Sequence, residues 1–227
     1  MPRRARTGAG GAAADETTRA RVLRAALTLF AEKGFHGTGI RDLANEAGLT
    51  TSTLYHYMAN KDELLVEIMT GAIAPLKQAV ERILAEVQGP AAALSAIVEH
   101  HVWVHATERL ATLVADTEVR ALTGERRERV LALRDGYEQR WREAIAAGIG
   151  QGQFVADSPG VAARALLQMA TGVSHWFSPS GALALPQLCR VYSDGALGFL
   201  RARDADGVPL RRADLDLPSP DHFLGPA

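Results

Sequence analysis

The sequence predicts an all-α fold, in which a small three-helix unit precedes a larger helical body. Apolar residues recur at helical spacing from Thr17 onward, and nowhere do apolar and polar residues alternate over more than a few positions, as in a strand. Gly, Pro and capping residues separate the periodic stretches. With 227 residues, 47% of them hydrophobic and 22% charged, the chain can bury a substantial core.

The first four predicted helices have clear ends. Val22, Ala26, Leu29 and Phe30 form one apolar stripe on the first helix, and Gly34 ends it. The boundaries of the next three are Thr38 and Gly48 for the second, Thr50 and Tyr57 for the third, and a capping box of Asn60 and Glu63 at the start of the fourth.

Longer helices and two irregular ends complete the prediction. The fourth helix extends to residue 86 with a kink at Pro75. The fifth to ninth helices are predicted at 90–107, 108–122, 123–150, 159–177 and 186–201. We expect a flexible arm at 1–15, a small domain at 16–62, a body at 63–202, and a loosely ordered tail at 203–227.

The charge is unevenly divided along the chain. Up to Lys61, nine basic residues oppose five acidic ones, so this part carries a net charge of +4, although the whole chain carries −1. A basic head on an acidic body is typical of a chain that docks on phosphates. Chance asymmetry is the alternative, and the overall balance excludes a uniformly basic coat.

Several other classes are excluded by composition. The single cysteine, Cys189, leaves no internal disulfide and no multi-cysteine metal site. No apolar run approaches the roughly 18 residues of a membrane span, and the Arg-rich start lacks an apolar signal core. We therefore expect a cytoplasmic protein without a membrane partner.

The segment from Gly37 to Tyr57 has the layout of a helix-turn-helix, two short helices joined by a tight turn through Gly48. The second helix of this segment, which is the third predicted helix of the chain, presents hydroxyls at its start, then an aromatic ring and an imidazole. Hydroxyls at a helix N-terminus suit phosphate oxygens and base edges. The alternative is that Thr50 caps the helix and the hydroxyls face only solvent.

This region resembles the N-terminal DNA-binding domain of the TetR family over roughly residues 17–65. The resemblance rests on Gly34-Phe35, Thr38, Ile40, Leu43-Ala44, Ala47-Gly48-Leu49, Thr53-Leu54-Tyr55-His56-Tyr57, Lys61, Glu63 and Leu64. It implies an all-helical homodimeric regulator, usually a repressor, with a C-terminal ligand-binding and dimerisation domain. Gly39 and Met58 depart from the family's usual residues.

The resemblance also implies roles for individual residues. Thr51, Ser52 and Tyr55 would face the major groove of an operator. The residues that would hold phosphates are Thr38, Arg41, His56 and Lys61. Arg3, Arg4 and Arg6 would reach an adjacent minor groove or remain a solvated arm.

Aromatic and histidine side chains cluster in the body, as in the lining of a small-molecule cavity. The predicted ligand-binding residues are His101, Trp103, His105, Tyr137, Trp141, Met169, His175 and Trp176. Simple core filling is the alternative. A metal-dependent enzyme using His100, His101 and His105 is a further alternative, although the HExxH glutamate is missing. No catalytic motif and no cofactor motif is present.

Helices eight and nine combine small and bulky residues, which permits the close packing of a four-helix dimer interface. A second, less specific resemblance links the body, from Arg109 through residues 133–138 to Phe154, to family members of lipid or acyl-CoA catabolism. The sequence thus predicts a homodimeric repressor released from a palindromic operator by a small apolar or acyl-type effector. A constitutive regulator without a ligand is the alternative.

Overall fold

The computed structural model describes residues 9–224, with side chains from residue 17 onward. Within this range the protein is helical, and its only strand-like feature is an isolated bridge between Arg203 and Pro209. The helices are α1 (Ala9–Gly37), α2 (Ile40–Glu46), α3 (Thr51–Leu54), α4 (Lys61–Glu86), α5 (Pro90–Thr107), α6 (Arg109–Thr117), α7 (Gly124–Gly150), α8 (Pro159–Thr171), α9 (Val173–Trp176) and α10 (Leu185–Phe199).

Three short 3-10 turns complete the secondary structure: Glu118–Ala121, Arg212–Asp214 and Pro220–Phe223. The predicted eighth helix is divided at Gly172 into α8 and α9, so the predicted ninth helix corresponds to α10. The predicted third helix is shorter than expected, because the chain leaves α3 after Leu54 in a turn. The all-α prediction is confirmed.

Helices α1 to α3 form the small head around one apolar centre. Leu43 of α2 and Leu54 of α3 are completely buried against the stripe of α1, and Met58 fills the adjoining space. Helix α1 is interrupted at Gly34, whose φ of 73° is a left-handed value that favours glycine. The predicted stop at Gly34 therefore exists, followed by one more helical turn.

Gly48 is needed at the turn between α2 and α3 for two reasons. Its φ is +64°, and a Cβ atom there would lie 2.9 Å from Nη2 of Arg21. That guanidinium donates to the carbonyl oxygen of Ala47, tying α1 to the turn. The turn geometry of the head thus rests on both a backbone conformation and a close approach.

The body is built around α5, which is buried on almost every side and packs against α4, α7, α8 and α10. A helix that is buried around most of its circumference forms the centre of a protein interior, and the buried polar side chains of α5, such as Glu99 and His101, find partners on neighbouring elements. One apolar cluster continues from the head into the body without a gap. The two predicted domains are therefore mechanically continuous through α4.

The tail prediction is wrong for residues 203–224, which fold back over α5 and α10. Phe223 is only 1% exposed, and Arg212 pairs with the buried carboxylate of Glu99. His100 Nδ1–H donates to the carbonyl oxygen of Pro220 at 2.9 Å. A buried carboxylate requires a cationic partner, and Glu99 finds it in the tail.

The arm prediction also needs correction. Residues 9–15 continue α1 toward the N-terminus, since this alanine-rich stretch favours helix. Arg3, Arg4 and Arg6 lie outside the described residues. No helix in the described part of the chain combines the length and apolar character that a bilayer crossing needs.

Candidate functional site

The outer face of the head is formed by α3 and the turn after it. Thr51, Ser52, Tyr55 and His56 are exposed there, whereas Leu54 is completely buried. Burial of Leu54 fixes the rotation of this short helix, so the other four side chains are available to a partner. Tyr55 is 53% exposed, which is unusual for a large aromatic residue and suits a binding role.

Thr50 caps α3, as the sequence predicts. Its Oγ1 accepts from the Thr53 backbone N–H at 3.1 Å and lies 2.9 Å from the hydroxyl of Ser52 and 2.8 Å from that of Thr53. This network fixes the side chains at the start of the helix. Capping and an exposed hydroxyl surface therefore coexist here.

Arg41 of α2 is exposed and has no ion-pair partner among the described residues. An unpaired guanidinium on this face is well suited to a phosphate. Five of the seven residues predicted to contact DNA are thus exposed on α2, α3 and the following turn.

The predicted phosphate role of Thr38 does not fit its position. The Thr38 side chain is 1% exposed, and its hydroxyl lies 3.2 Å from the carbonyl oxygen of Leu29 and 2.9 Å from that of Gly34. Its polar group is therefore engaged inside the head, at the break in α1.

The predicted phosphate role of Lys61 is also replaced by an internal one. Its Nζ donates to the carbonyl oxygens of Phe35 at 2.7 Å and Thr38 at 2.8 Å, and lies 4.2 Å from the centre of the Phe35 ring. Lys61 thereby attaches the start of α4 to the segment between α1 and α2. The sequence points to the residue but not to its role, because a lysine at a helix start equally suggests an anion-binding group.

The body contains a partly open cavity of about 370 Å³ that is bordered by α4, α5, α6, α7 and α8. Its wall combines aliphatic side chains with buried imidazole, phenol and hydroxyl groups, the usual composition of a small-molecule site. The lining residues are Ala72, Ile73, Leu76, His101, His105, Thr112, Ala115, Asp116, Leu131, Arg134, Asp135, Tyr137, Glu138, Arg164, Leu167, Gln168 and Thr171.

A hydrogen-bonded group centred on His101 spans three helices of this wall. Its Nδ1 lies 2.9 Å from the Tyr137 hydroxyl of α7, and its Nε2 lies 3.1 Å from the Thr171 hydroxyl of α8. The His105 ring stacks on His101 with centroids 3.8 Å apart. These hydrogen bonds join α5 to α7 and α8 across the wall, so we expect a displacement of one of these helices to affect the other two.

Burial dominates the titration of these groups. It lowers the pKa of His101 well below its ordinary value and that of His105 to about 4, and it raises the pKa of the Tyr137 hydroxyl. Both imidazoles are therefore neutral near pH 7.

The rim of the cavity is charged. Arg134 lies 3.4 Å from the carboxylate of Asp116, and Glu138 accepts from Arg164 at 3.0 Å and from Arg142 at 2.8 Å. The resemblance to regulators of acyl-CoA catabolism includes Arg134 and Glu138, within residues 133–138. Sequence reasoning did not identify Asp116 and Arg164 as rim residues, because a charged helix face looks the same whether it borders a cavity or open solvent.

Three predicted ligand-binding residues line the cavity: His101, His105 and Tyr137. Trp141 instead packs behind it, completely buried, edge-on to His101. Trp103 is half-buried against the separate apolar cluster formed with α8, α9 and α10. The core-filling alternative thus describes both tryptophans.

The other three predicted lining residues point elsewhere. Met169 is 41% and Trp176 54% exposed on the outer face of the body. His175 is exposed and lies 3.1 Å from the carboxylate of Asp116, which itself borders the cavity. The sequence placed all three residues on the predicted eighth helix, but helical spacing does not identify which face of a helix turns inward.

No group of three or more His, Cys, Asp or Glu side chains in the described part of the chain is arranged to hold a metal ion. His105 Nδ1–H is engaged by the His101 carbonyl oxygen, and His100 Nδ1–H by Pro220. The geometry gives the metal-enzyme alternative no support.

A helix-turn-helix head joined to a cavity-bearing helical body defines a ligand-responsive DNA-binding regulator. Residues 22–68 match the family model of bacterial regulatory proteins of the tetR family, and residues 87–200 match that of the tetracyclin repressor-like C-terminal domain. The chain belongs to the TetR family.

Relatives of known structure or role agree. The HTH-type transcriptional repressor KstR2 of Rhodococcus jostii is 28% identical, over 79% of this chain and 91% of its own. The TetR-family regulator PfmR of Thermus thermophilus has 33% identity and a TM-score of 0.72, over 81% of this chain and 99% of its own. AibR, solved with isovaleryl coenzyme A and operator DNA, has 27% identity and a TM-score of 0.70, over 81% of this chain and 97% of its own.

Proposed function

We propose that this protein is a cytoplasmic homodimeric repressor, released from a palindromic operator by an acyl-coenzyme A in the body cavity. The observation that carries the proposal is a partly open cavity that has aliphatic side chains on its wall and two arginines at its rim, each paired with a carboxylate. Guanidinium groups such as those of Arg134 and Arg164 suit the phosphates of a nucleotide, while the cavity suits an acyl chain. Two similar proteins support the proposal: KstR2 is a repressor, and AibR binds isovaleryl coenzyme A and operator DNA.

The proposed operator contacts follow from exposure. Thr51, Ser52 and Tyr55 contact base edges in the major groove, and Arg41 and His56 hold phosphates. The head, residues 16–62, binds DNA, and the body, residues 63–202, binds effector and partner. Two heads must enter the groove about 34–36 Å apart.

The proposed dimer interface is the outer face of α8, α9 and α10. Five large apolar side chains are exposed on this face: Val161, Met169, Trp176, Val191 and Phe199. Gly195 and Gly198 of α10 have open space above their Cα atoms. Such an apolar patch with room for close helix approach is typical of a self-association surface.

The proposed route from effector to head uses two helices. Helix α4 lines the cavity with Ile73 and holds the head through Lys61. Helix α6 lines the cavity with Thr112 and ends next to Glu118, whose carboxylate accepts from the Phe35 backbone N–H at 3.0 Å. A coupling of about 1–3 kcal/mol through this route would weaken operator binding roughly 5–150-fold.

The experiment is a titration of a labelled palindrome from upstream of the protein's own coding region, read by fluorescence anisotropy, with and without isovaleryl coenzyme A. We expect Tyr55→Ala to weaken operator binding at least about tenfold while the dimer persists in sizing chromatography. Tyr55→Phe, which keeps the ring, separates ring contacts from those of the hydroxyl. Unchanged affinity of Tyr55→Ala would remove the recognition-helix assignment, and operator binding that no thioester alters would favour the constitutive regulator.

A further inference from the structure

His105 has one ring nitrogen that is not used within the protein. Its side chain is 5% exposed and lines the cavity. Nδ1–H donates to the carbonyl oxygen of His101 at 2.9 Å, and Nε2 has no hydrogen-bond partner among the described residues. Nε2 is not among the fully buried side-chain atoms that lack a partner, so it is reachable from the cavity, where a water or a ligand can supply its hydrogen bond.

The partner of Nδ1 determines what Nε2 can do. A backbone carbonyl oxygen only accepts hydrogen bonds, so the proton of the neutral ring is on Nδ1. Burial lowers the pKa of His105 to about 4, and the ring therefore carries a single proton at neutral pH. Nε2 is consequently a hydrogen-bond acceptor.

The other buried polar groups of this wall each have at least one hydrogen bond within the protein. His101 bonds to the hydroxyls of Tyr137 and Thr171 through its two nitrogens. The Thr112 hydroxyl donates within its own helix, to the carbonyl oxygens of Glu108 at 3.2 Å and of Arg109 at 3.1 Å. Among the described residues that line the cavity, His105 Nε2 is the ring nitrogen for which no hydrogen bond within the protein is found.

We propose that His105 selects effectors that carry a hydrogen-bond donor of the hydroxyl class on their apolar part. A hydroxyl group donates a hydrogen bond to Nε2. A carbonyl oxygen at the same place cannot donate, so two acceptors would face each other, and an alkyl group leaves Nε2 without a partner. The inference rests on the proposed function in one respect, that the cavity is the effector site. It narrows the effector to hydroxylated acyl or alicyclic compounds.

The first test reads the ring itself. Nitrogen NMR of the full-length dimer, labelled with ¹⁵N-histidine, is expected to report a proton on Nδ1 and none on Nε2 of His105 at pH 7. Addition of cyclohexanol is expected to shift the Nε2 resonance. A proton on Nε2, a doubly protonated ring, or no shift at the solubility limit of cyclohexanol would overturn the inference.

The second test compares matched ligands and variants. We expect cyclohexanol to bind about three- to tenfold more tightly than cyclohexanone, the range of one neutral hydrogen bond. His105→Phe is expected to abolish this preference, and His105→Leu serves if the phenyl ring disturbs folding. Thr112→Val, which removes a hydroxyl engaged within α6, is expected to keep the preference. Equal binding of the two ligands, or a preference that survives in the His105 variants, contradicts the inference.

The two proposals fail separately. If isovaleryl coenzyme A releases operator DNA but cyclohexanol binds no more tightly than cyclohexanone, the proposed function is supported and the proposed role of His105 is wrong. If no thioester acts on DNA binding but the alcohol preference depends on His105, the acyl-coenzyme A assignment falls and the hydroxyl selectivity stands.

Discussion

Lys61 provides the sharpest test of how the head is held. Replacement by Met removes the ammonium that donates to the carbonyl oxygens of Phe35 and Thr38. A hydrogen bond to a charged group contributes about 1.5–3 kcal/mol, and the half-buried position of Lys61 reduces that value. We therefore expect Lys61→Met to lower the free energy of unfolding by about 1–3 kcal/mol.

The salt dependence of operator binding separates this internal role from a phosphate contact. Each phosphate contact contributes about 0.9 to the slope of log affinity against log salt concentration. Lys61→Met is expected to weaken binding at every salt concentration without changing that slope. Arg41→Met is the matched control, because Arg41 is exposed and has no ion-pair partner among the described residues. It should reduce the slope by about 0.9 per head and leave stability within about 0.5 kcal/mol.

Urea unfolding followed by circular dichroism measures the free energy of unfolding. Anisotropy titrations between low and moderate salt measure the salt dependence of operator binding. The reasoning fails if Lys61→Met reduces the slope as Arg41→Met does while its stability stays at the wild-type value. Those two results together would indicate that Lys61 contacts a phosphate of the operator.

Three further outcomes are expected. Phe223→Ala should lower the free energy of unfolding by about 3–5 kcal/mol in urea, since Phe223 is almost fully buried, whereas exposed Leu224→Ala should change it by less than about 0.5 kcal/mol. Gly48→Ala should cost at least about 1 kcal/mol because of its positive φ and the approach of Arg21, with Arg21→Ala testing the second cause. The free energy of unfolding should fall as the pH drops from about 6.5 toward 4. The reason is that His105 becomes protonated in the unfolded chain, while the buried ring, with its pKa of about 4, stays neutral. His105→Phe should flatten that decline in urea titrations carried out at several pH values.

The head could be predicted in detail because its signals are local. Gly34 and Gly48 have the left-handed backbone that their sequence positions suggest, and Thr50 and Asn60 accept from the N–H groups of residues three positions later. Each of these features depends on a few neighbouring residues. The phosphate role of Thr38, which the family resemblance implied, does not hold because the residue is buried and its hydroxyl bonds to the carbonyl oxygens of Gly34 and Leu29.

The body could be predicted only in its helices, because its sites depend on long-range contacts. His101 and Tyr137 share a hydrogen bond across 36 positions, and Arg212 and Glu99 pair across 113. Composition alone made the tail look unstructured, since its irregular backbone has no period. Its order comes from the partners it finds on α5.

The connection between cavity and head converges on one short segment. Lys61 of α4 bonds to the carbonyl oxygens of Phe35 and Thr38, and Glu118 after α6 bonds to the N–H of Phe35. Both α4 and α6 line the cavity, so a relative movement of these helices pulls on the same backbone from two sides. Since that segment leads directly into α2, and α2 packs against α3, we expect a shift there to reorient the exposed surface that carries Tyr55.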